Sequence, residues 1–459
     1  MKNSIQMFVR GACAALLIAL APGQAFAQTP SIVTTPVAPQ PSAPAPAAPV
    51  ISATAPPSPA PAVPLPTTVP GLPPATAGAA APATAAKPKP KPRPPIREWA
   101  LSNDPTPSFQ PETFYATAKA SERYAAIADA GGWPVVPAAV GPGARGVAVA
   151  ALRKRLEVEG DPSEAVPPGN VWDARLAAAV KHFQARNGLR ETGVVSGATL
   201  RAINVPARVR FKQLASSSQR LAGVNFSFGE RYVVVNIPSA AVEAVENGRV
   251  AKRYVAVVGD VEHQSPEVEA KITAINLNPT WTLPNSIIKN EIIPKMRKDP
   301  GYLSRSKIRI LDGHGTEIDP RSINWSTEKA TNYTLRQDSG THNALGSIRI
   351  QMNNKYAVYM HDTPSKGYFG RDYRFLSHGC VRVQGVYDLA AWLLRDSGGD
   401  WTAAELMAQI GHEREDLRLV KPVPVIWVYM TGWASADGAV RFADDVYQVD
   451  TIGVQADAR

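Results

Sequence analysis

Cysteine is almost missing from this chain. Only Cys13 and Cys380 occur in 459 residues, and Cys13 lies in an N-terminal stretch with the features of a removable export signal. The mature chain then holds a single thiol and no internal disulfide. The apolar run Gly11 to Pro22 is too short to span a bilayer comfortably. Paired metal-ligand spacing is also lacking. Cys380, His378 and His361 fit no common zinc pattern, so neither a metal nor another cofactor is expected. Acid is the minority charge, 39 Asp and Glu against 49 Lys and Arg, for a net +10. The basic residues are spread out and the chain reads as exported, so nucleic acid is not an expected partner.

What is abundant comes in blocks. Lys2 and Arg10 precede the apolar run, and Ala25-Phe26-Ala27 closes it as a cleavage site. Residues 1–27 therefore read as a signal peptide that sends the protein to the periplasm. Residues 28–97 are almost all Pro, Ala, Thr, Ser and Val, ending in Lys87-Pro88-Lys89-Pro90-Lys91-Pro92-Arg93. Such a segment has too little large apolar surface to offset the entropy of ordering, so a disordered, semi-rigid spacer is expected. Its cationic end either makes weak contact with anionic wall polymer or a membrane surface, or merely keeps the linker soluble. Residues 98–143 form an N-terminal helical segment, with a helix over 111–130 stopped by Gly131-Gly132-Trp133-Pro134. Helical spacing returns over 144–206 in three short helices, and 207–227 contains a connecting helix. From 228 to 452 the period becomes that of strands, notably Tyr232–Pro238, Arg253–Gly259, Ala270–Leu277, Arg349–Gln351, Tyr356–Met360 and Val423–Met430. An insertion over 285–338, helical at its start, interrupts them. A long insertion facing a strand-end site is often a lid.

The lone thiol sits in Ser377-His378-Gly379-Cys380-Val381-Arg382, with His361 nineteen residues upstream. A buried structural cysteine is the plain alternative. His378, Arg382 and Ser377 are poor company for a purely apolar pocket, and nearby positive charge lowers a thiol pKa. Gly379 allows a tight turn that points main-chain N–H groups at a developing oxyanion. A helix over 387–394 offers its positive N-terminal end to the same sulfur.

This pattern, His361 followed after fifteen residues by Ser377-His378-Gly379-Cys380-Val381-Arg382, resembles the signature of L,D-transpeptidases with the YkuD-type domain. Asn278-Pro279-Thr280-Trp281, Asn343-Ala344-Leu345-Gly346 and Pro422-Val423-Pro424-Val425 are similar to segments of the family's larger Gram-negative murein transpeptidases. Ala179-Val180-Lys181-His182-Phe183-Gln184 and Gly188-Leu189 resemble the three-helix peptidoglycan-binding module often fused to wall enzymes. The resemblance implies a multidomain chain. Its catalytic domain would be mostly β, an antiparallel-rich sheet or sandwich with flanking helices and a helical lid, joined to a small three-helix domain.

The resemblance also implies a reaction. Cys380 attacks a donor stem peptide of peptidoglycan, His361 is its base, and an acceptor stem peptide takes the acyl group. His378 would shape the site, with Gly379, Arg382, Ser377 and Asp362 in support. The backbone carbonyl of Asp362 is placed to orient the imidazole. Hydrolysis by an L,D-carboxypeptidase or amidase stays open at this point, as does a non-catalytic wall-binding protein. Lys289, Lys295, Arg297 and Lys298 of the insertion either meet substrate carboxylates or form a solvated face. His263, His314, His342 and His412 read as structural or surface residues.

Overall fold

Near residue 230 the period of buried residues shortens from that of a helix to that of a strand, and the architecture changes with it. The computed structural model describes residues 97–160 and 167–451. The expected signal peptide, with Cys13, and nearly all of the proline-rich spacer lie outside the described residues. Every described residue belongs to one unit, Pro90–Arg459.

The helical half contains α1 (Thr113–Asp129), α2 (Val147–Glu159), α3 (Ala174–Arg186), α4 (Gly197–Ile203) and α5 (Ala207–Leu221). Helix α3 starts three residues earlier than its apolar spacing suggests, because the Asp173 carboxylate caps the Leu176 N–H at 2.8 Å. It ends where Gly188 turns left-handed, at φ +64°, and Leu189 N–H donates to the Gln184 carbonyl. Residues ahead of α4 are extended, with Val195 bridging Val140. Val149, Leu152, Leu176, Val180 and Phe183 form the core of this three-helix domain. Residues 98–112 are not helical. They run as an extended strap that pairs Trp99 with Leu189 and gives the carbonyls of Ser102, Asp104 and Thr106 to Arg253.

The catalytic half is built from β1 (Arg231–Asn236), β2 (Ala241–Glu246), β3 (Arg249–Gly259), β4 (Val268–Leu277), β5 (Trp281–Thr282), β6 (Ile308–Leu311), β7 (Glu317–Ile318), β8 (Thr334–Gln337), β9 (Ile348–Met352), β10 (Met360–His361), β11 (Phe375–Ser377), β12 (Val381–Val383), β13 (Glu415–Val428), β14 (Gly432–Ala434) and β15 (Val440–Phe442). The main sheet runs β11-β3-β12-β10-β9-β4-β13-β1-β2, and a further pairing of β2 with β3 closes it into a ring. The expected antiparallel character holds for most pairs, while β1–β13, β10–β12 and β11–β3 are parallel. Closure follows from the hairpin β2–β3, where Asn247 (φ +51°) and Gly248 (φ +72°) supply the left-handed pair of a tight turn.

The ring interior is filled by Val233, Val235, Val258, Ile275, Ile350, Met360 and Val381, among others, with Leu389 and Leu393 of the helix Val386–Leu394 packed against them. Strand β1 is apolar on both faces because its outer face is covered too. There Tyr232 and Val234 meet Phe109, Leu221 and Trp433. Each fully buried side chain of this kind contributes about 1.5–3 kcal/mol.

The insertion differs from the helical lid that was expected. It contributes β6, β7 and β8 to a four-stranded sheet, β5-β8-β6-β7, packed on a helical stretch that is α over Asn285–Ile287, π over Ile288–Ile292 and α again over Ile293–Lys298. Leu283, Ile288, Ile292, Met296, Ile310 and Leu335 give it a core of its own. Elsewhere the strap, the helical domain and the catalytic domain enclose a cavity of about 520 Å³, bordered by Trp99, Leu189, Arg374 and Trp433. Neither Cys380 nor His361 lines it.

Candidate active site

Two parallel neighbours, β10 and β12, bring the sequence motifs together. Their register pairs Met360 with Val381 and His361 with Arg382. Val381 N–H donates to the Tyr359 carbonyl at 3.1 Å, so Cys380 lies level with Tyr359. Met360 and Val381 point into the ring. By strand alternation, Tyr359, His361, Cys380 and Arg382 all stand on the opposite face. The register makes the imidazole of His361 and the thiol of Cys380 diagonal neighbours on that face. On the other side of β10, Arg349 of β9 is the register partner of His361. A polar row therefore crosses the face, from Asp416 through Asn276, Arg349 and His361 to Arg382. Its first links are hydrogen bonds of 2.7 Å (Asn276 to Asp416) and 2.8 Å (Arg349 to Asn276).

The imidazole has a fixed orientation. His361 is buried, and its Nδ1–H donates to the Asp362 carbonyl at 2.5 Å. A carbonyl only accepts, so Nδ1 carries a proton, and the Leu345 carbonyl also accepts from the ring. The Asp362 carboxylate serves the fold instead. It accepts the Ser347 N–H at 3.2 Å and the Tyr387 hydroxyl at 3.4 Å, and pairs with Lys366. Gly346 is required beside it, since a Cβ there would lie 2.4 Å from that carboxylate.

Burial governs both titrating groups. It lowers the His361 pKa to about 3, with Arg382 adding to the effect. It raises the Cys380 thiol to about 11, against the opposing pull of the Tyr359 N–H, Arg382 and Arg349. The expectation of a resting thiol with a lowered pKa is therefore corrected. Two arginines do not outweigh desolvation of the sulfur. The helix Val386–Leu394 gives no help, because β12 intervenes. Five residues separate Gly385 from Cys380, about 16 Å if fully extended, and a helix dipole acts only near its first turn.

The loop around Cys380 is closed by small residues. The Ser377 hydroxyl donates to the Cys380 carbonyl at 2.5 Å and accepts the Gly379 N–H at 3.3 Å. The Gly379 N–H is thus occupied by the turn and not offered to an oxyanion. Gly379 takes φ +102°, a conformation that L side chains rarely adopt, and its carbonyl accepts the Ser265 hydroxyl at 2.8 Å. The His378 ring is directed to the insertion, where its Nε2–H donates to Glu291 Oε1 at 2.8 Å. Arg382 lies over the Tyr368 ring at 5.6 Å.

Four residues at the site carry no role in the sequence reading. Tyr359 places both its N–H and its hydroxyl against the Cys380 sulfur, and Trp281 of β5 donates to that hydroxyl. The period-2 rule could have found Tyr359, two residues before His361. Arg349 and Glu291 depend on pairings across separate elements and leave no local signal. His263, read as structural or surface, stacks on His378 with ring centroids 4.5 Å apart. Of the four basic residues named in the insertion, three are engaged within it: Lys289 with Glu328, Lys295 with Glu291, and Arg297 with the Trp325 carbonyl. Among the described residues no three His, Cys, Asp or Glu side chains are grouped to hold a metal.

Comparison with known families agrees with this layout. Residues 230–422 match the L,D-transpeptidase catalytic domain (YkuD), and residues 145–203 match a domain described as "Putative peptidoglycan binding domain". A protein of Haemophilus influenzae described as "Putative L,D-transpeptidase" is 33% identical over 242 residues, 52% of this chain and 48% of that protein. The chain thus spans about half the length of this curated relative. Among solved structures, an L,D-transpeptidase from Mycobacterium smegmatis overlaps 43% of this chain and 58% of its own at 16% identity and a TM-score of 0.22. One from Stackebrandtia nassauensis overlaps 64% and 96% at 12% identity and a TM-score of 0.25. Superpositions that poor carry no argument. The two family matches do, and the chain joins a β-rich YkuD domain to a peptidoglycan-binding-type helical domain.

Proposed function

We propose that the protein is an exported, periplasmic cysteine acyltransferase that cross-links peptidoglycan stem peptides by L,D-transpeptidation of the 3-3 type. The observation that carries this reading is the shared sheet face of β10 and β12, which presents Cys380, His361 and Tyr359 together above a fully apolar ring interior. In the resting site both the thiol and the imidazole are neutral. Attack and proton transfer then occur together: the sulfur forms its bond to the donor carbonyl carbon as the thiol proton passes to His361 Nε2. The Cys380 N–H and the Tyr359 hydroxyl stabilise the tetrahedral oxyanion. Its collapse expels the leaving amine, which takes the proton from His361, and a thioester remains. An acceptor amine repeats the sequence in reverse and releases Cys380.

Purified muropeptides incubated with the mature protein, and with Cys380→Ala, test this directly. Dimers joined through two diamino acids are expected from the wild type. The variant should lose about 10³-fold or more of the rate. Shortened monomers in place of dimers would mean hydrolysis, and equal products from both proteins would remove the catalytic reading altogether.

A further inference from the structure

The catalytic loop and the insertion touch through a pair that the reaction above does not use. Glu291 lies in the π-helical stretch Ile288–Ile292, whose two terminal isoleucines are buried in the insertion's own core. A π turn widens the helix and re-aims one side chain, and such turns concentrate at functional sites. Glu291 is the residue of this turn that reaches the catalytic loop. One carboxylate oxygen accepts His378 Nε2–H at 2.8 Å and the other accepts Lys295 Nζ at 2.7 Å. His378 stands two residues before Cys380, in a loop clamped by Ser377 and Gly379. Its other face meets His263, which is paired with Asp260 at 3.1 Å. The Asp260 N–H in turn donates to the Ser377 carbonyl at 2.8 Å.

We infer that Glu291 is a positioning residue that latches the insertion over Cys380 through His378, and that the latch is strong only while His378 is protonated. The charges facing the ring are Glu291, Asp260 and the more distant Arg382, with His263 stacked on it and Lys295 behind Glu291. Glu291, by its hydrogen bond first, and Asp260 raise the His378 pKa above its ordinary value, against burial and Arg382. Glu291 is itself held down to about 2 by the same contact, so it stays ionised throughout. A group with a raised folded-state pKa stabilises the closed form below its ordinary pKa and loses that stabilisation as pH rises through the raised value. The latch is therefore full in mild acid and weakens on the alkaline side of about 6.5. Unlatched, the insertion stays tied through β8 to β5, whose Trp281 bonds Tyr359, so it loosens without leaving.

This deepens the acyl-transfer reading but is tested without turnover, so that each can fail alone. Cys380 is alkylated with iodoacetamide in the wild type and in Glu291→Gln at pH 5.5, 7 and 8.5. Taking the ratio of the two rates cancels the ordinary rise of thiolate with pH. Gln keeps the shape and a hydrogen bond but removes the charge, and a charge-assisted bond is roughly twice as strong as a neutral one. The variant should react about five-fold faster at pH 5.5, with the ratio falling toward unity by pH 8.5. His378→Asn, a second way to remove the charge, should give the same convergence. A ratio that is constant with pH in both variants would overturn the latch and leave only a structural contact.

Discussion

Two acid–base clusters sit beside joints of the catalytic domain, and they differ in depth. At the helical domain, Glu159 is 2% exposed and is held by Arg155 at 2.9 Å, Arg186 at 3.6 Å and the Tyr124 hydroxyl at 2.8 Å. Arg155 also stacks on Trp133, and Arg186 reaches the Val440 carbonyl of the β14–β15 hairpin. At the insertion, His378 and Glu291 have side chains 40% and 32% exposed. Opposite charges meet in both places. Buried among several partners, they fix one domain on another; half in water and resting on a histidine, they make a contact that solvent conditions can loosen.

The strongest way to break this comparison is Glu159→Ala. Removing one partner of a buried ion pair costs about 3–5 kcal/mol, and a urea titration should show a midpoint lowered accordingly. A loss below 1 kcal/mol would mean that the cluster is no clamp. Next comes pH. Burial works to raise the Glu159 pKa, but Arg155 and Arg186 hold it at about 2. Its stabilisation is present above the ordinary carboxylate range near 4.5 and is lost as pH falls through about 2. Acid should therefore release the helical domain only as pH falls through about 2, where protonation of Glu291 undoes the latch as well, whereas on the alkaline side only the latch weakens. Intrinsic fluorescence and hydrogen exchange across pH 2–8 can separate the two events.

A smaller effect sharpens the chemistry. With the thiol near 11 and the imidazole near 3, the reactive neutral pair dominates between them. In Glu291→Gln, where the latch no longer titrates, the acylation rate with donor peptide should be flat from pH 5 to 8. A limb near 6.5 in that variant would show that His361 titrates normally. The least change is expected from Lys289→Ala, because its pair with Glu328 is exposed on both sides. Stability should move by no more than about 0.5 kcal/mol in the same urea titration.

Much of this was readable from residues alone, where the signal was local. The Cys380 and His361 motif, the Asn187-Gly188 helix stop, and the β-branched strands need only nearby residues to declare themselves. Strand β2 did not, because Ala241-Val242-Glu243-Ala244-Val245-Glu246 repeats every three residues and is poor in β-formers. It is a strand because Arg253 neutralises Glu243, and Ser108 donates a hydrogen bond to it, in a buried setting. The insertion's strands are two to four residues long, too short for a period to emerge. Tyr359, Arg349 and Glu291 gain their places from register across different elements. The thiol pKa went the other way from the motif's expectation because desolvation is a property of the packed site, invisible in a list of neighbouring charges.

Strand β10 is only two residues long, yet it is bonded on both sides within a ring that has no opening at that point. A pair of residues at the rim of an open sheet would fray, and a general base carried there would wander. Hemmed in by β9 and β12, His361 inherits the rigidity of the whole girdle. Adjustment to whatever binds therefore falls to the parts that move above it, so the grip of the site can change without detuning its chemistry.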